Sequence, residues 1–269
     1  MRARSLSSLV LAARRRVRTS LPGAPSTASF RQPYYDNLRG DGLEIGPLHH
    51  PAPLPAEARV RYVDQLDREA LSGLYPDVPL ETIVTPDVIA DGHNLSPVSD
   101  DSIDFVVASH VIEHMHDPIR GLLEWRRVLH TGALLVLIVP DGRFTFDAGR
   151  PLTPFEHLLW DYVNEGTRLK TLSDLFHIAE CNLNLHDTLD VDSSVSLAQT
   201  ILAQTYDTHF HVWSFETFTL HLRRLIDEFG LPYAIAASGS DGRSEMAFQL
   251  EATNSRFQLA DGAIPQAGR

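Results

Sequence analysis

Residues 102–141 read SIDFVVASHVIEHMHDPIRGLLEWRRVLHTGALLVLIVPD, and their pattern decides the fold. The runs SIDFVVAS (102–109) and ALLVLIVPD (133–141) are aliphatic and β-branched, apolar on both faces, as a strand buried inside a parallel sheet must be. Between them lies a well-marked helix. Asp117 stands as its N-cap, Pro118 takes the first helical position, Ile119, Leu122, Leu123, Val128 and Leu129 are the apolar positions, and Gly132 follows the end. A strand, a helix and a strand in that order make a crossover unit of a parallel sheet.

The same rhythm extends upstream through GLEIG (42–46), RVRYVD (59–64) and DVIAD (87–91), short apolar runs that mostly end on a polar residue or a glycine. Downstream, SFETFTLHLRRLIDEF (214–229) is a helix with Ser214 as its cap. A strand at about 232–238, the turn GSDGR and a strand at 244–252 then form a hairpin, which must be antiparallel. The expected fold is α/β, a Rossmann-like doubly wound seven-stranded sheet, mostly parallel with an antiparallel C-terminal strand. In such a sheet ligands bind outside the carboxyl ends of the strands. Residues 143–205 break the rhythm and are expected to form a helical insertion after the fifth strand, laid over the sheet edge. Phe144, Phe146, Phe155, Trp160 and Tyr162 there either wall a substrate pocket or belong to the core. Residues 1–37 read as a basic arm and linker, the linker being the Pro/Ser/Ala-rich stretch 21–33, with 38–255 as the domain and 256–269 as a flexible tail.

Composition bounds the function. The chain of 269 residues is 43% hydrophobic, enough for one full-sized core. A single cysteine, Cys181, excludes an internal disulfide framework and an all-cysteine zinc site, and suits a reducing compartment; a cytoplasmic location is expected. The net charge is −12, yet Arg2, Arg4, Arg14, Arg15, Arg16 and Arg18 crowd the first twenty residues, which leaves the remainder near −18. So acidic a body repels phosphate backbones, against general nucleic-acid binding. The arginine arm has three readings: peripheral contact with a membrane surface, organelle targeting, or a solvated extension.

The ordered set LEIGP, YVD, VIADGHNL, SIDFVVASHVIEHMHDP and RVLHTGALLVLIVPD resembles the class I S-adenosylmethionine-dependent methyltransferases, of the methyltransferase type 11 kind, over residues 40–141 and the closing hairpin. The resemblance implies S-adenosylmethionine as cofactor and a set of residues that hold it: Glu44, Gly46 and Pro47 after the first strand, Asp64 after the second, Asp91, Gly92 and His93 after the third, and Ser109 after the fourth. A carboxylate accepts two hydroxyl hydrogen bonds at once, which suits Asp64 to a ribose. The other reading of Asp64, a strand-terminating acid or helix cap, competes with Asp67 for the cap.

The opening loop departs from the family. In LEIGPLHHP (43–51) only Gly46 remains of a glycine-rich turn, and the twelve residues 47–58 hold four prolines, so no first helix fits. With neither a Gly-x-Gly-x-x-Gly run nor a helix start, a dinucleotide is disfavoured. His49 and His50, neighbours in an extended chain, should point apart and share no metal.

Residues 109–118, SHVIEHMHDP, are similar to segments of small-RNA 2′-O-methyltransferases and quinone-biosynthesis O-methyltransferases in which an acid and a histidine hold a divalent cation. If the segment turns helical, His110, Glu113 and His114 share one face. His110 stands where those families have an acid, so no metal is favoured; if one binds, Glu113, His114, His209 and His211 are its expected ligands. The candidate bases are His110 and His114, followed by His211. The expected activity is methyl transfer to an oxygen or nitrogen of a small-molecule, glycan or lipid acceptor. The alternatives are a non-catalytic domain of the same fold or a divalent-metal-assisted O-methyltransferase.

Overall fold

The computed structural model describes residues 27–164 and 209–259, together with residues 192, 195, 196 and 199. Seven strands form one sheet: β1 (Gly40–Ile45), β2 (Ala58–Asp64), β3 (Val88–Ile89), β4 (Ile103–Ser109), β5 (Leu129–Pro140), β6 (Tyr233–Ser240) and β7 (Glu245–Ala252). Their order is β3-β2-β1-β4-β5-β7-β6. The pairs β1–β2, β1–β4, β2–β3 and β4–β5 are parallel, and β7 runs antiparallel to both β5 and β6, as the sequence led one to expect. Strand order reverses between β1 and β4, and it is outside the carboxyl ends of those strands that a crevice opens in such sheets.

The helices are α1 (Thr27–Tyr35), α2 (Arg68–Leu74), α3 (Pro118–Val128), α4 (Phe155–Val163) and α5 (Phe215–Asp227). Asp67 caps α2, its side chain accepting the N–H of Ala70, so Asp64 is left as the strand-terminal acid. Asp117 caps α3 by accepting from Arg120 N–H, with Pro118 behind it. Ser214 and Thr217 close a reciprocal capping box on α5.

One face of the sheet packs Ile119, Leu122, Trp125 and Val128 of α3 with Phe155, Leu158 and Leu159 of α4 and Phe218, Leu222 and Leu225 of α5. The other face gathers Tyr35, Leu38, Phe105, Val107, Val136, Ile138 and Ala247, with Phe30, Tyr34, Ala52 and Leu54 against them. No helix separates β1 from β2, as the prolines dictate, and the surface such a helix would cover is taken by α1 and the 47–57 loop.

Four expectations are corrected. The stretch 21–33, read as linker, contains most of α1, and the packed domain therefore begins before residue 38: Tyr35 and Leu38 are each 1% exposed, and burying each contributes on the order of 2 kcal/mol. The helix at 117–132 ends at Val128, and Gly132 (φ +86°) lies inside β5, which starts at Leu129. The tail read from residue 256 opens with packed chain, since the Gln258 N–H donates to Phe229 O and the rings of Phe257 and Tyr162 meet edge to face. The insertion is not laid over the sheet edge in its described part, because α4 buries Phe155, Leu158 and Leu159 in the main core; its remainder falls mostly outside the described residues. No helix among the described residues is long and apolar enough to cross a membrane.

Candidate functional site

The carboxyl ends of β1 to β4 carry the residues singled out from the sequence. Gly46 follows β1 at φ +61°, a left-handed turn that costs glycine nothing, with its N–H donating to Val63 O at 2.9 Å. A methyl group there would stand 3.4 Å from the Val111 side chain, so the turn lies directly over the chain leaving β4. The Pro47–Pro51 loop then bends back: His50 N–H donates to Pro47 O, Leu48 takes φ +45°, and Leu48 O accepts from Val84 N–H at 2.7 Å. Because the chain turns rather than extends, the His49 and His50 rings do not point apart; their centroids are 3.9 Å apart.

Glu44 does not face outward. It is 1% exposed, and both its oxygens accept the Ala52 N–H, at 2.9 and 3.1 Å, so it pins the far end of the proline loop. Burial pushes its carboxyl up to about 7, against the Ala52 hydrogen bond and the charge of Arg31. Asp64 accepts the N–H of Gln65 at 2.8 Å at the end of β2. Asp91 accepts both the N–H and the Nδ1 of His93 (2.8 and 2.9 Å), and His93 Nε2 stands 3.4 Å from Asp117 N–H, so His93 joins the loop after β3 to the start of α3. A methyl group at Gly92 would sit 3.5 Å from Met115 and 3.6 Å from Ile45, which leaves the glycine's backbone against the ends of β1 and β4. Ser109 ends β4 opposite Ile138.

Past Ser109 the chain is not α-helical. His110 takes φ +56° and Ile112–His114 form a single 3-10 turn, yet His110, Glu113 and His114 still converge. His110 lies between two acids: its Nδ1 is 3.4 Å from Glu113 and its Nε2 is 3.0 Å from Glu245. Glu245 also takes a bidentate contact from Arg31 of α1. Burial disfavours a charged imidazole, but the contacts with Glu113 and Glu245 outweigh it and raise His110 to about 9. At neutral pH that ring carries its proton already and is a poor base.

Glu113 is fully buried, and neither carboxylate oxygen has a hydrogen-bond partner among the described residues. Besides His110, it faces Nε2 of His114 at 3.8 Å and Nε2 of His209 at 3.9 Å. Its backbone oxygen accepts from both Phe210 and His211, and this turns the 209–211 segment around it. That turn separates the two candidate histidines. His209 joins Glu113 and His114, whereas His211 points to Asp161 of α4 at 2.8 Å, in a second cluster with His157. Of the four metal ligands considered from the sequence, three meet and His211 does not.

Asp147 was not legible as a functional residue. It lies in an irregular stretch with no motif, yet it is 2% exposed and its Oδ2 stands 2.6 Å from His209 Nδ1. Arg150 pairs with Asp147 and donates to His209 O at 3.0 Å. Burial opposes the charge on Asp147, but His209 and Arg150 hold its carboxyl below the usual range. Of the aromatic residues weighed from the sequence, Phe146 packs its ring 4.5 Å from His209, Phe155 is core, and Phe144 is 41% exposed. A groove lined by Asp41, Arg59, Arg61, Pro97 and Ser99 lies on the opposite rim, at the amino ends of β1, β2 and β4.

Residues 59–137 match the family model described as "Methyltransferase domain". A protein of Mycolicibacterium smegmatis described as a "Probable S-adenosylmethionine-dependent methyltransferase" is 34% identical over 106 residues, 38% of this chain and 37% of its own. A Mycobacterium tuberculosis protein with a similar description is 38% identical over 89 residues, 32% of each chain. The chain thus spans about a third of the length of the curated relatives it matches. Among solved structures, a SAM-dependent methyltransferase from Aquifex aeolicus aligns over 84% of this chain and 90% of its own, at 10% identity and a TM-score of 0.45. The matched segment bears out the family resemblance read from the sequence.

Proposed function

Taking residues 59–137 as a methyltransferase domain, we propose that the chain uses S-adenosylmethionine to methylate an oxygen or nitrogen of a small-molecule, glycan or lipid acceptor. The observation that carries this reading is the alignment at the strand-order reversal: the left-handed Gly46 turn, the Asp64 carboxylate and the Gly92 backbone all stand at the carboxyl ends of β1 to β3. These groups fit the cofactor's chemistry. A carboxylate suits the ribose hydroxyls, and a turn without a side chain lets the backbone approach the methionine end. When bound, the cofactor supplies an activated methyl on a sulfonium, so the chain's work is alignment and proton removal.

In this reading Gly46, Pro47, Asp64, Asp91, Gly92, His93 and Ser109 line the cofactor end, and Glu44 acts through the loop it pins. Proton removal falls to Nε2 of His209, whose Nδ1–H is held by Asp147, with His114 beside it. His110, raised to about 9 between two acids, serves as a fixed positive group, and His211 belongs to another cluster. Calorimetric titration tests the reading: S-adenosylmethionine should bind to the full chain, and absence of binding at millimolar cofactor overturns it.

The Glu113 carboxylate, fully buried among the imidazoles of His110, His114 and His209 without a well-formed hydrogen bond, favours a second reading, in which a divalent cation assists an O-methyl transfer. Glu113, His114 and His209 would hold it. Their ligand atoms all lie within 4.8 Å of one another, and metal–ligand bonds of about 2.1 Å place neighbouring ligands roughly 3 to 4 Å apart. The carboxylate–imidazole pair of Asp147 and His209 is the support such a ligand needs. A cation there would lower the pKa of an acceptor hydroxyl. Activity unchanged by a chelator removes this reading and leaves the first intact.

A further inference from the structure

We propose that His157, Asp161 and His211 form a separate structural metal site, suited to zinc, that fastens α4 to the segment carrying His209. His157 and Asp161 stand one helical turn apart on α4, at the i, i+4 spacing that puts two side chains on one face. His211 arrives from the 209–213 segment. The Nε2 atoms of both imidazoles converge on one oxygen, Asp161 Oδ2, at 2.8 Å from His211 and 3.3 Å from His157. All three ligand atoms lie within 4.8 Å of one another. Zinc bonds of about 2.0–2.1 Å in tetrahedral geometry separate ligand atoms by roughly 3.4 Å, so the triangle needs only a small opening to admit the ion.

The surroundings fix the ligands beforehand. The His211 ring is stacked on Trp213 at 5.3 Å and 7° between planes, and it forms a T-shaped pair with the His157 ring at 5.4 Å and 76°. The Asp161 and His211 side chains are fully buried, while His157 keeps 19% exposure and offers the ion a way in from solvent. Two imidazoles and one carboxylate favour zinc over magnesium or calcium, which prefer all-oxygen shells. The consequence for the neighbouring site is mechanical, since the Phe210 and His211 amides that hold Glu113 O belong to the segment this ion would anchor.

The test uses the full chain, stripped with a chelator, dialysed, and titrated with zinc chloride while bound metal is counted. His157→Gln, at a partly exposed position, should lower the zinc stoichiometry by one equivalent and abolish the zinc-induced rise in melting temperature attributable to this site; Asp161→Asn should do the same. His114→Gln should keep that equivalent, which separates this site from the Glu113 cluster. Stoichiometry unchanged in His157→Gln overturns the proposal, as does a wild-type chain that takes up no zinc. If a variant fails to fold, cobalt(II) added to the wild type decides: the ring protons of His157 and His211 should broaden or shift, and signals left in place overturn the site. None of these readouts depends on methyl transfer.

Discussion

Asp147 Oδ2 lies 2.6 Å from Nδ1 of His209, sixty-two residues later in the chain, so the tautomer of a buried imidazole is set by a carboxylate in an irregular loop. The Nε2 of that ring faces Glu113, and whichever partner it serves, a proton or a cation, it depends on Asp147 for orientation. Asp147→Asn should remove the low-field Nδ1 proton of His209 from the proton spectrum and lower methyl transfer by roughly ten- to a hundredfold, with cofactor affinity unchanged. An unaltered His209 resonance would show that the loop does not control the ring.

Asp67 caps α2, while Asp64 is proposed to hold the cofactor, and the contrast can be measured. Asp64→Ala should weaken S-adenosylmethionine binding by roughly ten- to a hundredfold, the loss expected when charge-assisted hydrogen bonds worth about 1.5–3 kcal/mol disappear. Asp67→Ala should leave the affinity alone and cost about 1 kcal/mol of stability through the α2 cap. Calorimetric titration and chemical denaturation of both variants check the contrast.

Burial raises Glu44 to about 7, and the sign of its pH effect follows. Between the unfolded carboxyl pKa of about 4.3 and about 7 the folded chain binds more protons than the unfolded one, so this residue's contribution to stability declines as pH rises through that window and levels off above it. Glu44→Gln should remove the decline. Its unfolding free energy should match wild type near pH 4 and exceed it at pH 8 by up to about 3 kcal/mol, as read by denaturation across the range.

Two glycines should respond to alanine in opposite directions. At Gly46, φ +61° makes any Cβ strained, and Gly46→Ala should cost about 1 kcal/mol and weaken cofactor binding. At Gly73, inside α2, a Cβ meets nothing within 4 Å, and Gly73→Ala should stabilise the chain by roughly 0.5–1 kcal/mol. A melting temperature that does not fall in Gly46→Ala would contradict the assignment of strain to Gly46, and one that falls in Gly73→Ala would contradict the open space at Gly73.

The sheet was legible because its central strands β4 and β5 are apolar on both faces and its helices are capped by chemistry that leaves a local mark, as at Asp117 and Ser214. The absence of a first helix was legible for the same reason, since prolines act locally. What stayed hidden depends on tertiary contact. The stretch around Thr27–Tyr35 has the composition of a linker, and its Tyr35 and neighbouring Leu38 become core only because the missing helix leaves a sheet face to cover. His209 and His211 looked equivalent at two-residue spacing. Two amides bonding to the single oxygen of Glu113 turn the chain between them and send the rings to different clusters. Asp147 carried no signal at all, because a carboxylate that only orients another side chain needs no motif.

The covering of that sheet face by α1 has a consequence for where this protein can be cut. Arg31 reaches from α1 to Glu245, and Glu245 reaches to His110, so the segment ahead of the first strand is wired to the loop that follows the fourth. Shortening the chain at residue 38, where the repeating pattern begins, would strip a wall from the hydrophobic interior and leave Glu245 and His110 to face each other without their guanidinium. An expression boundary drawn upstream of Thr27 keeps both the wall and the charge.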